Sequence, residues 1–84
     1  MRLVIVAPDG VLRRTQVGQV SLPGEMGAFT VLKGHAPLIA HLTAGDIVYV
    51  PENGAEERLA VTGGFVRVYK DEIEVCAEIP NEKQ

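Results

Sequence analysis

Apolar and polar residues alternate along many short stretches of this chain, and turn-forming residues separate the stretches roughly every eight to twelve positions. This spacing is typical of an all-β sandwich or barrel. No window of eleven or more residues keeps the 3.6-residue apolar period of an amphipathic helix. The pattern therefore predicts an all-β domain with about nine short strands.

The clearest predicted strand covers residues 72–79, where two faces separate cleanly. Ile73, Val75, Ala77 and Ile79 fall on one face, and Glu72, Glu74, Cys76 and Glu78 fall on the other. Before it, 64–69 is predicted to be a strand, and Lys70-Asp71 is short enough to make a tight hairpin.

Further predicted strands share short apolar runs bounded by Pro, Gly or Asn. They cover 3–7, 11–17, 19–22, 47–50 and 58–62. The connection at Pro51 to Gly54 contains Asn53-Gly54, a strong turn pair. We expect one β-sandwich domain over 1–79 and a polar tail over 80–84, since 84 residues fit a single core.

Composition narrows the class of protein. The formal net charge is −3, the eight basic residues are spread along the chain, and there are only two Phe, two Tyr and no Trp. Nucleic-acid binders usually show a clustered basic face or aromatic platforms, so we expect no nucleic-acid partner.

The apolar runs of the chain fall short of the roughly 20 residues that a membrane span needs. The single cysteine, Cys76, excludes an internal disulfide. The apolar run at the start of the chain is interpreted as a first strand rather than a signal peptide. Both observations favour the cytoplasm as the compartment.

Candidate catalytic and metal-binding residues are few. His35 and His41 lack the i, i+4 spacing of a helical metal site, although Glu25 and Asp46 supply carboxylates. The possible nucleophiles are Ser21, Thr30, Thr43 and Cys76, and none lies in a known nucleophile motif. The glycines do not have phosphate-loop spacing. We expect no cofactor and no metal, and keep as an alternative a small metal- or ligand-binding β-barrel enzyme that uses His35, His41 and a carboxylate such as Asp46.

The segment 23–45 is unusually apolar for a connection. Part of it is predicted to be strand, packed in the core. Loops on a rigid scaffold that display apolar, glycine-rich surface commonly recognise another protein. This segment therefore favours a binding function, with a generic peptide- or carbohydrate-binding sandwich as a further possibility.

Two ordered motifs identify a resemblance. The run LPGEMGAFTVLKGHAPL at 22–38 closely resembles the pattern L-P-G-x-x-G-x-F-x-V-L-x-G-H-A-P-L of the epsilon subunit of F-type ATP synthases. The run VTGGF at 61–65 is similar to the V-x-G-G-F of that family. Ala28 and Thr30 stand where many members carry glutamate and glycine, and Lys33 stands where proline is frequent.

The resemblance implies a ten-stranded β-sandwich at the foot of the rotating central stalk. It implies a non-catalytic subunit that binds the gamma subunit and the c ring and couples ring rotation to ATP synthesis, with proton or sodium ion as the coupling ion. It would be peripheral, at the cytoplasmic face of the inner membrane through the complex, and would require no homo-oligomer. Typical bacterial members continue into an inhibitory, ATP-sensing helical hairpin, which an 84-residue chain is expected to lack.

The resemblance also implies two sets of contact residues. The set expected to face the c ring is Glu25, Met26, Gly27, Ala28, Phe29 and Thr30, and the set expected near both gamma and the ring is His35, Ala36, Pro37 and Leu38.

Overall fold

The computed structural model of the protein describes residues 1–80, which form eight strands and no helix. The strands are β1 Arg2–Ala7, β2 Gly10–Leu22, β3 Phe29–Leu32, β4 Leu38–Leu42, β5 Gly45–Pro51, β6 Glu57–Val61, β7 Gly63–Tyr69 and β8 Glu72–Glu78. The predicted all-β class is confirmed. The expected count of nine to ten strands is too high for the described residues.

Strand pairing builds two sheets that share β2. The strand order is β4-β7-β8-β1-β2-β5-β6, with β3 paired to β2 beside this path. The first half of β2 pairs with β1, and the second half pairs with both β3 and β5. All neighbours are antiparallel except β1 and β8, which are parallel. One long strand therefore carries the chain from the first layer of the sandwich into the second.

The predicted break between strands 11–17 and 19–22 is wrong. The structure has one strand of 13 residues, β2, and its register against β5 shifts between Val17 and Gln19. Gly18 is the extra residue of this β-bulge, and an added Cβ there would meet no atom within 4 Å. Because a bulge bends a strand without ending it, the glycine marks where β2 changes sheets.

The core is formed by inward-facing side chains of both sheets, and no buried side chain among residues 1–80 is charged. Ile73, Val75 and Ala77 are at most 4% exposed, which confirms the predicted inner face of β8. The prediction for Ile79 is wrong, because its exposure is 36% and β8 ends at Glu78. Glu78 pairs with Gly63, the first residue of β7, so the ladder has no partner for Ile79.

The paired glycines of the second motif allow two strands to approach closely. Gly64 has φ +131°, a conformation that side chains rarely adopt, and an added Cβ would lie 2.1 Å from the Cys76 carbonyl oxygen. A Cβ on Gly63 would lie 2.9 Å from a carboxylate oxygen of Glu78. This part of the motif is therefore explained by the packing of β7 on β8.

The connection between β7 and β8 is the predicted two-residue hairpin, since Tyr69 pairs with Glu72 across Lys70-Asp71. Lys70 takes φ +56° at its first position. Apart from Pro80, the predicted polar tail over 80–84 lies outside the described residues. Within residues 1–80 there is no helix with the length and apolar composition needed to cross a membrane.

Candidate functional site

The loop between β2 and β3 is tied to β4 by backbone hydrogen bonds. The amide of Glu25 donates to the carbonyl of His41 over 2.8 Å, and the amide of Thr43 donates to the carbonyl of Pro23 over 2.8 Å. Gly24 lies so close to Phe29 that an added Cβ would be 2.9 Å from the ring. The base of the loop is therefore fixed against the sandwich, while its tip projects away.

The predicted ring-contact residues fall into two structural parts. Glu25, Met26, Gly27 and Ala28 are exposed in the loop, and Met26 is 99% exposed. Phe29 is half-buried and Thr30 is exposed, and these two residues begin β3. The Thr30 hydroxyl lies 2.9 Å from the Ser21 hydroxyl on β2. The loop tip is thus free to meet a partner, whereas its last two residues are part of a sheet.

The predicted gamma-and-ring segment, 35–38, forms the turn from β3 to β4. His35 is half-buried, and its amide donates to the Leu32 carbonyl over 3.0 Å. Its Nδ1 lies 2.7 Å from the Ala36 carbonyl oxygen, an acceptor, so Nδ1 carries the proton and donates. Ala36 and Pro37 are exposed, and Leu38 is the first residue of β4. His35 therefore shapes this turn through both its backbone and its side chain.

A groove of about 380 Å³ lies between the loop and β4. Four residues of the predicted ring-contact set line it, whereas only Leu38 of the predicted gamma-and-ring set does. Its lining is mostly apolar, and it comprises Gly24, Glu25, Met26, Gly27, Phe29, Leu38, Ile39, Ala40 and His41. A second depression of about 350 Å³ lies beside β4 and β7 and shares Leu38 and Ile39 with the groove. Ile39 is 72% exposed.

Ile39, Ala40 and His41 line the groove but belong to neither predicted contact set. The available signal was that 38–42 is an uncharged stretch, but its position at the edge of a sheet depends on which strands pair.

Residues that the alternative metal-site hypothesis requires do not converge. Asp46, on β5, lies against Arg58, with 3.3 Å between Oδ2 and a guanidinium nitrogen. Among residues 1–80, no three His, Cys, Asp or Glu side chains come together as a metal site would require. No arrangement in the described structure favours the alternative enzyme.

Cys76 lies on the outward face of β8, as predicted. It is half-buried and is paired with Phe65 on β7 and with Val6 on β1. The hydroxyls of Ser21 and Thr30 bond to each other rather than to a base. The Ser21–Thr30 hydrogen bond is therefore not a nucleophile–base pair.

Comparison with known families decides the classification. A family model described as ATP synthase, Delta/Epsilon chain, beta-sandwich domain matches residues 1–80. This chain belongs to the ATP synthase delta/epsilon chain family. The expected resemblance is thereby confirmed, and both motifs lie within the matched delta/epsilon sandwich.

Relatives in the delta/epsilon family carry the same assignment. The ATP synthase epsilon chain of Wolinella succinogenes is 41% identical over 78 residues, which are 93% of this chain and 60% of that protein. Other epsilon chains, from Syntrophomonas wolfei and Paracoccus denitrificans, are 36% and 37% identical. The chain spans between about half and three fifths of the length of these curated relatives.

Solved structures show the same fold at low sequence identity. A chain in the mitochondrial ATP synthase of Euglena gracilis, solved with its F1 part and c ring, superposes with a TM-score of 0.82 at 22% identity, covering 89% of this chain and 48% of that chain. A chain in the central stalk and c-ring structure of the Tetrahymena thermophila enzyme gives 0.78 at 13% identity, covering 93% of this chain and 63% of that chain. These likenesses show that the chain shares its fold with those two chains.

Proposed function

We propose that this protein is a non-catalytic rotor component of the central stalk of a proton- or sodium-translocating F-type ATP synthase. It binds the gamma subunit and the c ring, and couples rotation of the ring to ATP synthesis. It is peripheral at the cytoplasmic face of the inner membrane and is held there through the complex. The delta/epsilon family membership supports this proposal.

The two sets of contact residues are proposed to meet different parts of the complex. The loop tip, with Met26 at its apex, faces the c ring, and the turn at His35–Leu38 lies where gamma and the ring both approach. The observation that carries this assignment is the near-complete exposure of Met26 at 99%, beside the exposed Ile39. Burying a side chain of this size at an interface is worth about 1.5–3 kcal/mol. An exposed apolar tip on a fixed base is suited to a protein contact.

The hydrogen bonds at the base of the loop explain how a force on its tip would reach the sheet. The backbone hydrogen bonds from Glu25 to His41 and from Thr43 to Pro23 connect the loop to β4. β4 in turn pairs with β7 along five residues. A force applied at the tip is therefore transmitted into the sheet, as coupling of rotation between ring and stalk requires.

The proposal is tested by exchanging the loop tip while leaving the sandwich intact. Met26→Ser is compared with Val11→Ser, because Val11 is a 49% exposed apolar residue on β2, at the opposite edge of the sheet that contains β4. We expect Met26→Ser to weaken binding to a purified c ring about tenfold, and Val11→Ser to leave it within twofold. Equal binding of the c ring by both variants, with both folded, would show that the loop tip is not part of the interface.

A further inference from the structure

The loop between β2 and β3 is closed by its own backbone. Glu25 and Met26 are the middle residues of a turn in which the Gly27 amide donates to the Gly24 carbonyl over 3.0 Å. The Glu25 amide is also bonded to the His41 carbonyl on β4 over 2.8 Å. The turn that carries Met26 is therefore both closed on itself and tied to a neighbouring strand.

Gly24 is the point where this turn meets the ring of Phe29. Gly24 is buried, although the three residues that follow it are exposed. An added Cβ would lie 2.6 Å from the Gly27 carbonyl oxygen and 2.9 Å from two carbons of the Phe29 ring. Real Cβ atoms do not come this close to other heavy atoms, so only glycine lets the ring and the carbonyl approach the backbone here.

The Phe29 side chain is itself anchored in the sandwich. Phe29 is the first residue of β3, it pairs with Leu22 on β2, and its half-buried side chain packs against the core. Met26, in contrast, is 99% exposed. The ring of Phe29 therefore lies between the core and the turn, and its contact with Gly24 sets the orientation of the turn relative to the sheet.

We propose that Phe29 is a positioning residue, whose ring holds the turn at Gly24 so that Met26 projects in one orientation in the free chain. This inference rests on the proposed contact between the loop tip and the c ring, and it changes the role of Phe29 from contacting the ring to supporting the tip. A tip that is ordered beforehand has less conformational entropy to lose on binding, so Phe29 raises affinity without adding a contact.

The first test measures the order of the tip in the free protein and needs no partner. In ¹⁵N relaxation, we expect the Met26 amide of the wild-type chain to have an order parameter of about 0.8 or more, and that of Phe29→Leu to fall below about 0.6. Gly24→Ala, which forces the ring and the turn apart, should loosen the tip in the same way, whereas Phe29→Tyr keeps the ring and should keep the wild-type value. A flexible tip in the wild-type chain, or an equally rigid tip in Phe29→Leu, would overturn the proposal.

Leu59→Ala is the matched control for a general loss of stability. Leu59 is another half-buried apolar residue that packs against the core, and it lies on β6, at the opposite end of the strand order from β4. This variant should unfold at a lower urea concentration than wild type and leave the Met26 order parameter unchanged. Loosening of the tip by Leu59→Ala as much as by Phe29→Leu would show that the tip follows overall stability, and would contradict a specific role of the Phe29 ring.

A double-mutant cycle with purified c ring separates positioning from direct contact. We expect Phe29→Leu to weaken binding about fivefold in the wild-type chain but less than about twofold in the Met26→Ser chain, because its effect passes through Met26. An undiminished fivefold loss in the Met26→Ser chain would show that the Phe29 side chain meets the c ring itself, and would overturn the positioning role. Failure of the wild-type chain to bind the c ring would refute the proposed ring contact, whereas the order of the tip in the free chain would still decide the role of Phe29.

Discussion

The Tyr49 hydroxyl accepts a hydrogen bond of 2.7 Å from Arg13 Nε and donates one of 2.8 Å to Glu57. Tyr49 lies on β5 and has no exposed surface, whereas Arg13 lies on the half of β2 that pairs with β1. The hydroxyl therefore joins the two sheets and reaches a charged pair at the surface. The Tyr49 hydroxyl therefore connects the two layers of the sandwich, and it is not part of the groove beside β4.

We expect Tyr49→Phe to lower the free energy of unfolding by about 1–2 kcal/mol, because two hydrogen bonds to charged partners are lost. Arg13 and Glu57 are roughly half exposed, so water replaces part of the loss. Urea denaturation measures the change. Tyr69→Phe is the control, since Tyr69 is 56% exposed, and it should stay within about 0.5 kcal/mol of wild type. Equal stability of Tyr49→Phe and wild type would show that the two hydrogen bonds of the Tyr49 hydroxyl do not stabilise the fold.

The same residue predicts an alkaline loss of stability. Burial raises the pKa of Tyr49 above its usual value of 10.0, and the hydrogen bond to Glu57 adds to the rise. The unfolded chain then loses the phenolic proton at lower pH than the folded chain, so stability falls as pH rises above about 10. Urea denaturation between about pH 9 and 11 should show a steeper decline for wild type than for Tyr49→Phe. Parallel declines would contradict the raised pKa.

Gly64→Ala should prevent normal folding of the sandwich. The new Cβ would lie 2.1 Å from the Cys76 carbonyl oxygen, at a φ of +131° that alanine rarely adopts. A cost on the order of 3 kcal/mol or more is expected, which is a large part of the stability of a small domain. Circular dichroism on heating measures it. Gly54→Ala, where the Cβ meets Pro51 at an ordinary 3.6 Å, should melt within a few degrees of wild type, and identical melting of both variants would refute the packing argument.

His35→Ala should weaken assembly more than it lowers the rate of any chemical reaction. The side chain bonds to a backbone carbonyl within its own turn, so its loss should cost about 0.5–1.5 kcal/mol of folding stability. Affinity for gamma should fall about fivefold, because the turn that leads into β4 loosens. His35→Asn keeps a donor and should recover part of the affinity. A large loss of an intrinsic hydrolase activity, with assembly intact, would instead assign His35 to catalysis.

Local patterns in the sequence predicted much of this fold. Alternation identified the inner face of β8 through Ala77, and the turn residues located the β7–β8 hairpin. Alternation failed at Ile79 because the end of β8 is fixed by the partner strand, which begins at Gly63. Gly18 was interpreted as a break because a glycine that ends a strand and one that forms a bulge are the same in sequence.

The site was predictable only in part, for a related reason. The motif at 22–38 contains the predicted loop and turn residues, and the structure places four of the loop residues and Leu38 of the turn in one groove. The contribution of Ile39 depends on β4 being an edge strand, and on β1 pairing in parallel with β8 to set the strand order. These pairings join residues that are far apart in the chain, and no local pattern specifies them.

If this sandwich belongs to the rotor of an ATP synthase, purification of the protein should recover the other rotor subunits with it. The chain is tagged at its C-terminus, because Met1 is packed in the core at 7% exposure. It is then purified from mildly solubilised membranes of its host, and the bound proteins are identified by mass spectrometry. We expect recovery of gamma and c subunits together with alpha and beta. A folded, soluble protein that recovers none of them would contradict it.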